Sequence, residues 1–227
     1  MVAVTTACAD DTKDAATDED YADVATSLGT TAAHEGDEVS AMRAAAALAR
    51  GAVPAGLAQV KAGVYRGSSA GMAYRYQLAC HGARGAVCDP SSTSADVRTS
   101  WSGGLELPRL AMSIAHDATW SLTGITPQLA HVDGTGHLTY DTRDDASSYH
   151  YRYDATYHVV VDDQRAIGGD IDFAITGEHT ANDTGATRRF AIDAQLMFFP
   201  DDTAELALDG AHHYRILMAT GAVTKID

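Results

Sequence analysis

Residues 149–161, YHYRYDATYHVVV, decide the fold class, because the character of their side chains changes at every second position. One set of alternate positions carries tyrosine, alanine and valine, and the other carries mostly histidine, arginine, aspartate and threonine. Successive side chains of a β-strand point to opposite faces of a sheet, whereas a helix would mix the two sets. The stretch therefore predicts one strand of roughly 40 Å with an apolar and a polar face.

The same alternation recurs in residues 72–80, 171–175 and 190–198, with short turn signals between such runs. Consecutive strands joined without helices must pair antiparallel, since parallel strands need long crossovers. We therefore predict a mainly β protein of ten to twelve strands in one large antiparallel meander, as a curved sheet, half-barrel or barrel. A sandwich is the alternative, because a sandwich, like a curled sheet, covers the apolar face of the strands. The turn signals are Gly103-Gly104, Asp133-Gly134, Gly168-Gly169, Asp183-Thr184-Gly185, Pro200-Asp201-Asp202 and Asp209-Gly210.

The N-terminal quarter of the chain has helical rather than strand periodicity. Apolar residues in 18–28 recur at helical spacing, and Gly29 is placed to end that helix. A second helix starts at Asp37, ends before Gly51, and has a face made mostly of alanine. Residues 54–61 are expected to add one or two turns. The predicted organisation is a disordered acidic tether (1–17), a helical segment (18–61) that packs on the sheet, and an antiparallel β domain (62–227).

The charge balance excludes one class of partner. The chain has 31 acidic and 16 basic residues and a net charge of −15. A nucleic-acid-binding protein needs lysine and arginine gathered on one face, so nucleic acid is not expected as a partner. No run of 18 apolar residues occurs, so no membrane-spanning helix is expected.

Cys80 and Cys88 are predicted to form a disulfide across a short glycine-containing loop. Closing a loop of about nine residues would contribute roughly 2–3 kcal/mol on the chain-entropy model. Their spacing fits neither a common zinc pattern nor a haem attachment sequence. Such a bridge indicates an oxidising, extracytoplasmic compartment.

The residues before Cys8 resemble the end of a bacterial lipoprotein signal, in which small residues precede a cysteine that receives the lipid. A polar stretch follows directly, as a tether would. Thr5 stands where leucine is usual, and only seven residues precede the cysteine, so either the signal was trimmed or the resemblance is chance. The resemblance implies lipid attachment at Cys8 and membrane anchoring at the cell envelope.

Two motifs that suggest catalysis have simpler interpretations. Residues 67–71 match G-x-S-x-G, but the alternating run that follows predicts a strand rather than the helix of a hydrolase nucleophile turn, so we interpret them as a hairpin. His150 and His158 share the polar face of one strand, about 26 Å apart, and cannot bind one metal ion. We therefore assign no catalytic residue, no metal ligand and no cofactor.

The tyrosines of the longest strand are the remaining lead. In a curved sheet, they could line a cleft for a small apolar ligand or an acyl chain. In a filled sheet they would be core, with each hydroxyl needing a partner. The residues concerned are Tyr149, Tyr151, Tyr153 and Tyr157.

Three functions remain open on the sequence. The first is a non-enzymatic, extracytoplasmic, lipid-anchored protein that acts by binding or as an envelope component. The second is a carrier of an apolar ligand or lipid in the curved sheet, by analogy with bacterial lipid-carrying half-barrels. The third is an enzyme with a histidine and aspartate site across strands.

Overall fold

The computed structural model describes residues 13–33, 37–69, 71–82, 87–107 and 110–226. Two helices come first, α1 (Asp18–Ala32) and α2 (Asp37–Ala49). Strands make up the rest: β1 (Leu57–Lys61), β2 (Val64–Ser69), β3 (Met72–Gly82), β4 (Ser92–Leu107), β5 (Leu110–Thr123), β6 (Ala130–Asp144), β7 (Ser147–Val161), β8 (Ala166–Ala181), β9 (Thr187–Phe198), β10 (Thr203–Leu208), β11 (His212–Leu217) and β12 (Ala222–Ile226).

The strands form one sheet in which each strand pairs antiparallel with its neighbours in sequence, in the order β1 to β12. Over the described residues the sheet is open, since β1 and β12 lie at its two ends and are not paired with each other. Strands β4 to β8 each have between 14 and 16 residues, which is roughly 50 Å of extended chain. The predicted antiparallel meander is confirmed.

Both helices lie against one face of the sheet and close a single hydrophobic core. The alternation expected from the sequence is clearest in β9, where every second side chain from Phe190 to Phe198 is buried. Helix α1 packs against β11 and β12, and α2 packs against β3, β4 and β7. The alanine-rich face of α2 is suited to this position, because small side chains let a helix approach a sheet closely. We call the helix-covered face the inner face, and the opposite one the outer face.

Helix α1 is fixed at its start by a capping box between Thr17 and Asp20. Asp20 also accepts two hydrogen bonds from Arg188 on β9, at 2.6 and 2.7 Å. Just upstream, the Asp14 backbone N–H donates to the Arg189 carbonyl at 2.7 Å. The predicted disordered tether therefore does not extend to residue 17, because the chain is tied to β9 from Asp14 onward. Residues 1–12 lie outside the described part.

Three of the six turn signals are wrong, because their glycines lie inside strands. Gly103, Gly134 and Gly169 belong to β4, β6 and β8. A Cβ at these positions would collide with Met72 of β3, the Thr119 carbonyl of β5 and the His158 carbonyl of β7, respectively. These glycines therefore permit close strand contact. The signals near residues 183, 200 and 209 are confirmed as hairpin turns.

The helical segment also ends earlier than predicted. Residues 54–61 hold no further helical turn: Leu57–Lys61 forms β1, which pairs with β2 as a hairpin. Gly51 ends α2 as predicted, with φ +78°, and Gly56 has φ +83°, so the chain turns away before a new helix could form. Gly29, expected to end α1, is instead buried inside it, where Val223 of β12 packs against it.

The predicted disulfide is confirmed. Cys80 of β3 is bonded to Cys88, with a Cα–Cα distance of 5.1 Å. The bridge joins the end of β3 to the segment that precedes β4. Cys80 is fully buried, so the bond is anchored in the core.

Candidate functional site

A cleft of about 690 Å³ lies between α1 and the inner face of β5, β6 and β7. Pockets of this size hold small molecules. Its floor is aliphatic, from Met112, Ile114 and Leu138, and its aromatic wall is Tyr140, Tyr149 and Tyr151. Helix α1 supplies a polar side from Glu19, Asp23, Thr26, Ser27, Thr30 and Thr31, and Thr142 completes the lining. We call this the tyrosine cleft.

The structure divides the four tyrosines predicted to line a ligand cleft into two pairs. Tyr149 and Tyr151 lie at the wall of the tyrosine cleft. Tyr153 and Tyr157, farther along the same face of β7, are buried in the core. The hydroxyl of Tyr153 donates to Ser27 of α1 at 3.3 Å, so this residue helps to seat the helix. Tyr149 is half-buried, whereas Tyr151 is buried like the core pair but also lines the cleft.

The wall tyrosines belong to a group of packed aromatic rings. The rings of Tyr149 and Tyr151 are nearly parallel, with centroids 6.3 Å apart, and His179 of β8 stacks on Tyr149 at 4.4 Å. Phe190 packs edge-on against Tyr151. Tyr151 is only 5% exposed, and its hydroxyl has no hydrogen-bond partner among the described residues. Burial and then the negative charge of Asp23 raise the pKa of Tyr151, so the hydroxyl stays neutral.

The acidic side of the cleft contains two differently placed aspartates. Burial by itself would raise the pKa of Asp20, but hydrogen bonds from Arg188 and Thr17 outweigh it and hold this pKa below its ordinary value. Asp23, one turn later and facing the cleft, has a raised pKa because of partial burial and repulsion from Glu19 and Asp20. Asp20 is therefore neutralised by an arginine, whereas the charge of Asp23 is not.

A second polar group lies inside the core and joins α2 to the sheet. Oε1 of Glu38 in α2 is 3.3 Å from Nε2 of His116 in β5. The same nitrogen is 3.2 Å from the hydroxyl of Tyr157. The residues are 5%, 3% and 1% exposed. The indole of Trp101 stacks on His116 with ring centroids 4.9 Å apart. We call Glu38, His116 and Tyr157 the buried cluster.

The electrostatics of the buried cluster favour an ionised carboxylate. Burial alone would raise the pKa of Glu38, but the charge of His116 outweighs it and keeps this pKa below the ordinary value. Glu38 also lies in the first turn of α2, where the helix dipole favours a negative charge. Burial and then the charge of Glu38 raise the pKa of Tyr157 well above its ordinary value. At neutral pH the cluster therefore holds an ionised Glu38 carboxylate beside the neutral phenol of Tyr157.

The local sequence of β5 and β6 leaves room for this cluster, although the residue pattern predicts no such group. His116 falls in the same alternating phase as Ile114, Ala118 and Trp120, which marked it as inward-facing. A Cβ on Gly136 of β6 would lie 2.9 Å from the Tyr157 hydroxyl, so only glycine leaves space for it there. The acid partner could not be inferred, because it comes from a separate helix.

The outer face carries histidine–aspartate pairs across β6 and β7. His150 lies 2.6 Å from Asp141, His158 lies 3.0 Å from Asp133, and His137 contacts Asp154. We call these the outer pairs. Each imidazole is more than half exposed. In the described part of the chain, no three histidine, cysteine, aspartate or glutamate residues are placed to hold a metal ion.

The serine motif at residues 67–71 forms a hairpin, as interpreted. It spans the end of β2 and leads into β3 rather than into a helix, and Gly71 has φ +85°. Residue 70 lies outside the described residues. The strand–turn–helix geometry that presents a hydrolase nucleophile is therefore absent at this described hairpin.

Cys8, the predicted lipid attachment residue, lies outside the described residues. Among the helices that are described, neither has the length and apolar character needed to cross a bilayer. Comparisons with protein-family models, curated proteins and solved structures find no match to this chain.

Proposed function

We propose that this chain is a binding protein that carries a small amphipathic molecule in the tyrosine cleft. The observation that carries the proposal is the Tyr151 hydroxyl, which is buried at the cleft wall without a partner. An unsatisfied buried hydroxyl costs free energy that a ligand group would recover. The aliphatic floor of Met112, Ile114 and Leu138 supplies a surface for the apolar part of such a ligand.

The alternative of an enzyme with histidine and aspartate across strands has less support. The outer pairs do bring histidine and aspartate together, but they lie along an exposed face, and Asp154 is also paired with Arg152. The buried cluster has the composition of a catalytic group, yet Glu38, His116 and Tyr157 are enclosed by the core. A substrate would have to displace Trp101 or α2 to reach it. Binding therefore remains our first proposal.

We also propose that the protein works outside the cytoplasm, attached to the envelope through a lipid on Cys8. The disulfide between Cys80 and Cys88 supports an oxidising compartment, where such bonds persist. Intact mass spectrometry of the protein isolated from its native membranes tests the anchor. A diacylglycerol adduct on Cys8 is the expected result, and an unmodified cysteine in membrane-free protein would overturn the anchor without affecting the cleft.

The carrier function is tested by native mass spectrometry of gently purified protein. We expect an additional bound mass that organic extraction removes. The variant Thr26→Trp places an indole in the cleft from the exposed side of α1 and should abolish that mass. Thr176→Trp, at an exposed position on the outer face of β8, is the matched control and should retain it. No bound mass in the wild type, or equal retention in Thr26→Trp, would overturn the proposal.

A further inference from the structure

We propose that the ligand of the tyrosine cleft carries an ammonium group, which sits between Asp23 of α1 and the hydroxyl of Tyr151. The inference rests on the proposed binding function and names its ligand class: an amphipathic amine with a short aliphatic body. Three independent features of the cleft support it, namely its charge, its unpartnered hydroxyl and its aromatic wall.

The first feature is an uncompensated negative charge. Asp23 and Glu19 line the cleft, and no lysine or arginine is among its lining residues. In the described chain neither acid has an ion-pair partner, whereas Asp20 on the same helix is paired with Arg188. His179, whose ring stacks on Tyr149, lowers the pKa of Asp23 through its charge, but it is not one of the residues that line the cleft. Asp23 is exposed, whereas Asp20 is buried, so the Asp23 carboxylate is open to a cation that enters the cleft.

The second feature is the hydroxyl of Tyr151. It belongs to a side chain that is 95% buried, it lines the cleft, and it has no partner. The negative charges of Asp23 and Asp20 on α1 both raise its pKa, and the oxygen itself is buried. An ammonium group has three N–H donors and no acceptor. One N–H can donate to the Tyr151 oxygen while another faces the Asp23 carboxylate.

The third feature is the pair of surfaces on either side of that position. The rings of Tyr140, Tyr149 and Tyr151 form one wall, and a cation is attracted to the face of an aromatic ring. The floor of Met112, Ile114 and Leu138 is aliphatic and would contact a hydrocarbon chain. A carboxylate ligand would meet repulsion from Asp23 and Glu19 at the same place. The cleft therefore discriminates by charge sign as well as by hydrophobicity.

The test is isothermal titration calorimetry of the full chain at neutral pH with three ligands that share one tail. These are octylammonium, octanol and octanoate, each below the concentration at which it aggregates. We expect octylammonium to bind roughly tenfold more tightly than octanol, and octanoate to bind most weakly. Asp23→Asn and Tyr151→Phe should each weaken octylammonium binding about fivefold, and Asp23→Asn should leave octanol binding unchanged.

A matched variant controls for the general effect of net charge. Glu205→Gln removes one half-exposed acid, paired with Arg215 on the outer face of β10 and away from the cleft, and should leave all three affinities unchanged. Thermal melts monitored by circular dichroism verify that each variant is folded. Octanoate or octanol binding as tightly as octylammonium, or an unaltered affinity in Asp23→Asn, would overturn the inference while the binding function stands. Failure of all three ligands to bind would overturn both.

Discussion

Two faces of the same sheet combine an imidazole with a carboxylate, in opposite surroundings. On the inner face, Glu38 and His116 are enclosed by Trp101 and Tyr157. On the outer face, pairs such as His158 and Asp133 stand in solvent with both side chains more than half exposed. Among the described residues, the same two chemical groups therefore occur both where water is excluded and where it is present.

The difference shows that the surroundings of such a contact, rather than the pairing itself, set its contribution to the free energy of unfolding. Exposed ion pairs are weak, because solvent screens the charges and the side chains lose conformational freedom. A buried pair is not a large net gain either, because both charges were removed from water. Breaking a buried pair is nevertheless costly, since the remaining charge has no partner. Asp20 and Arg188 form an intermediate case, with side chains 4% and 31% exposed.

The largest effect is expected from breaking the buried cluster. His116→Ala removes the partner of Glu38 and leaves a carboxylate enclosed in the core. We expect the free energy of unfolding to fall by about 3–5 kcal/mol, measured by urea denaturation at neutral pH.

The double variant Glu38→Leu with His116→Leu is the control for this prediction. It replaces both polar side chains with apolar ones, so no carboxylate is left unpaired in the core, and it should recover much of the loss. A loss in the double variant equal to the sum of the two single losses would contradict the interpretation of an uncompensated charge.

An intermediate effect is expected at the pair that fixes α1. Arg188→Met removes two hydrogen bonds to the Asp20 carboxylate and should lower the free energy of unfolding by about 1–3 kcal/mol. Arg215→Met, at an exposed pair on β11, is the matched control and should change it much less. Equal losses in the two variants would remove the distinction between half-buried and exposed pairs.

The pH dependence of this second pair has a defined sign. The pKa of Asp20 is lower in the folded chain than its ordinary value of 3.8. Its contribution to stability is therefore complete above that value and is lost as the pH falls through the folded pKa. The stability difference between wild type and Arg188→Met should shrink on acidification below about pH 4. A difference that stays constant down to pH 2 would contradict the assignment.

The smallest effect is expected at the outer pairs, and it has the opposite pH sign. Asp133 raises the pKa of His158 above its ordinary value of 6.5. The pair therefore contributes fully below that value, and its contribution is lost as the pH rises through the folded pKa. NMR titration should show that Asp133→Asn returns this pKa towards 6.5 with no change in stability above pH 8. An unchanged His158 pKa would show that the pair does not form in solution.

The sequence predicted the sheet because alternation is a local property. The run from Tyr149 to Val161, like the other alternating runs, predicts a strand from its own residues alone. Because no helices join these strands, only antiparallel pairing of neighbours is possible. The disulfide was also local, since Cys80 and Cys88 flank one short loop. Gly103, Gly134 and Gly169 were misplaced because a glycine fits a turn and a close strand contact equally well.

The tyrosine cleft and the buried cluster were harder to predict from the sequence, because both depend on where α1 and α2 pack on the sheet. The face of β7 was predicted, but which tyrosines line a cleft depends on where α1 covers them. His116 was marked by its phase in β5, yet Glu38 reaches it only because α2 packs over β4 and β7. Neither helix position is encoded in a local pattern.

Methyl NMR of the full chain during a titration with octanol tests the binding account most directly. The ligand is uncharged, so the result does not depend on the ammonium inference. We predict saturable shifts at the methyl groups of Met112, Ile114 and Leu138 in the cleft floor. Exposed Met197 and Leu217 report non-specific contact and should not shift. Shifts confined to those exposed residues, or no saturable shift at the cleft floor, would contradict the account.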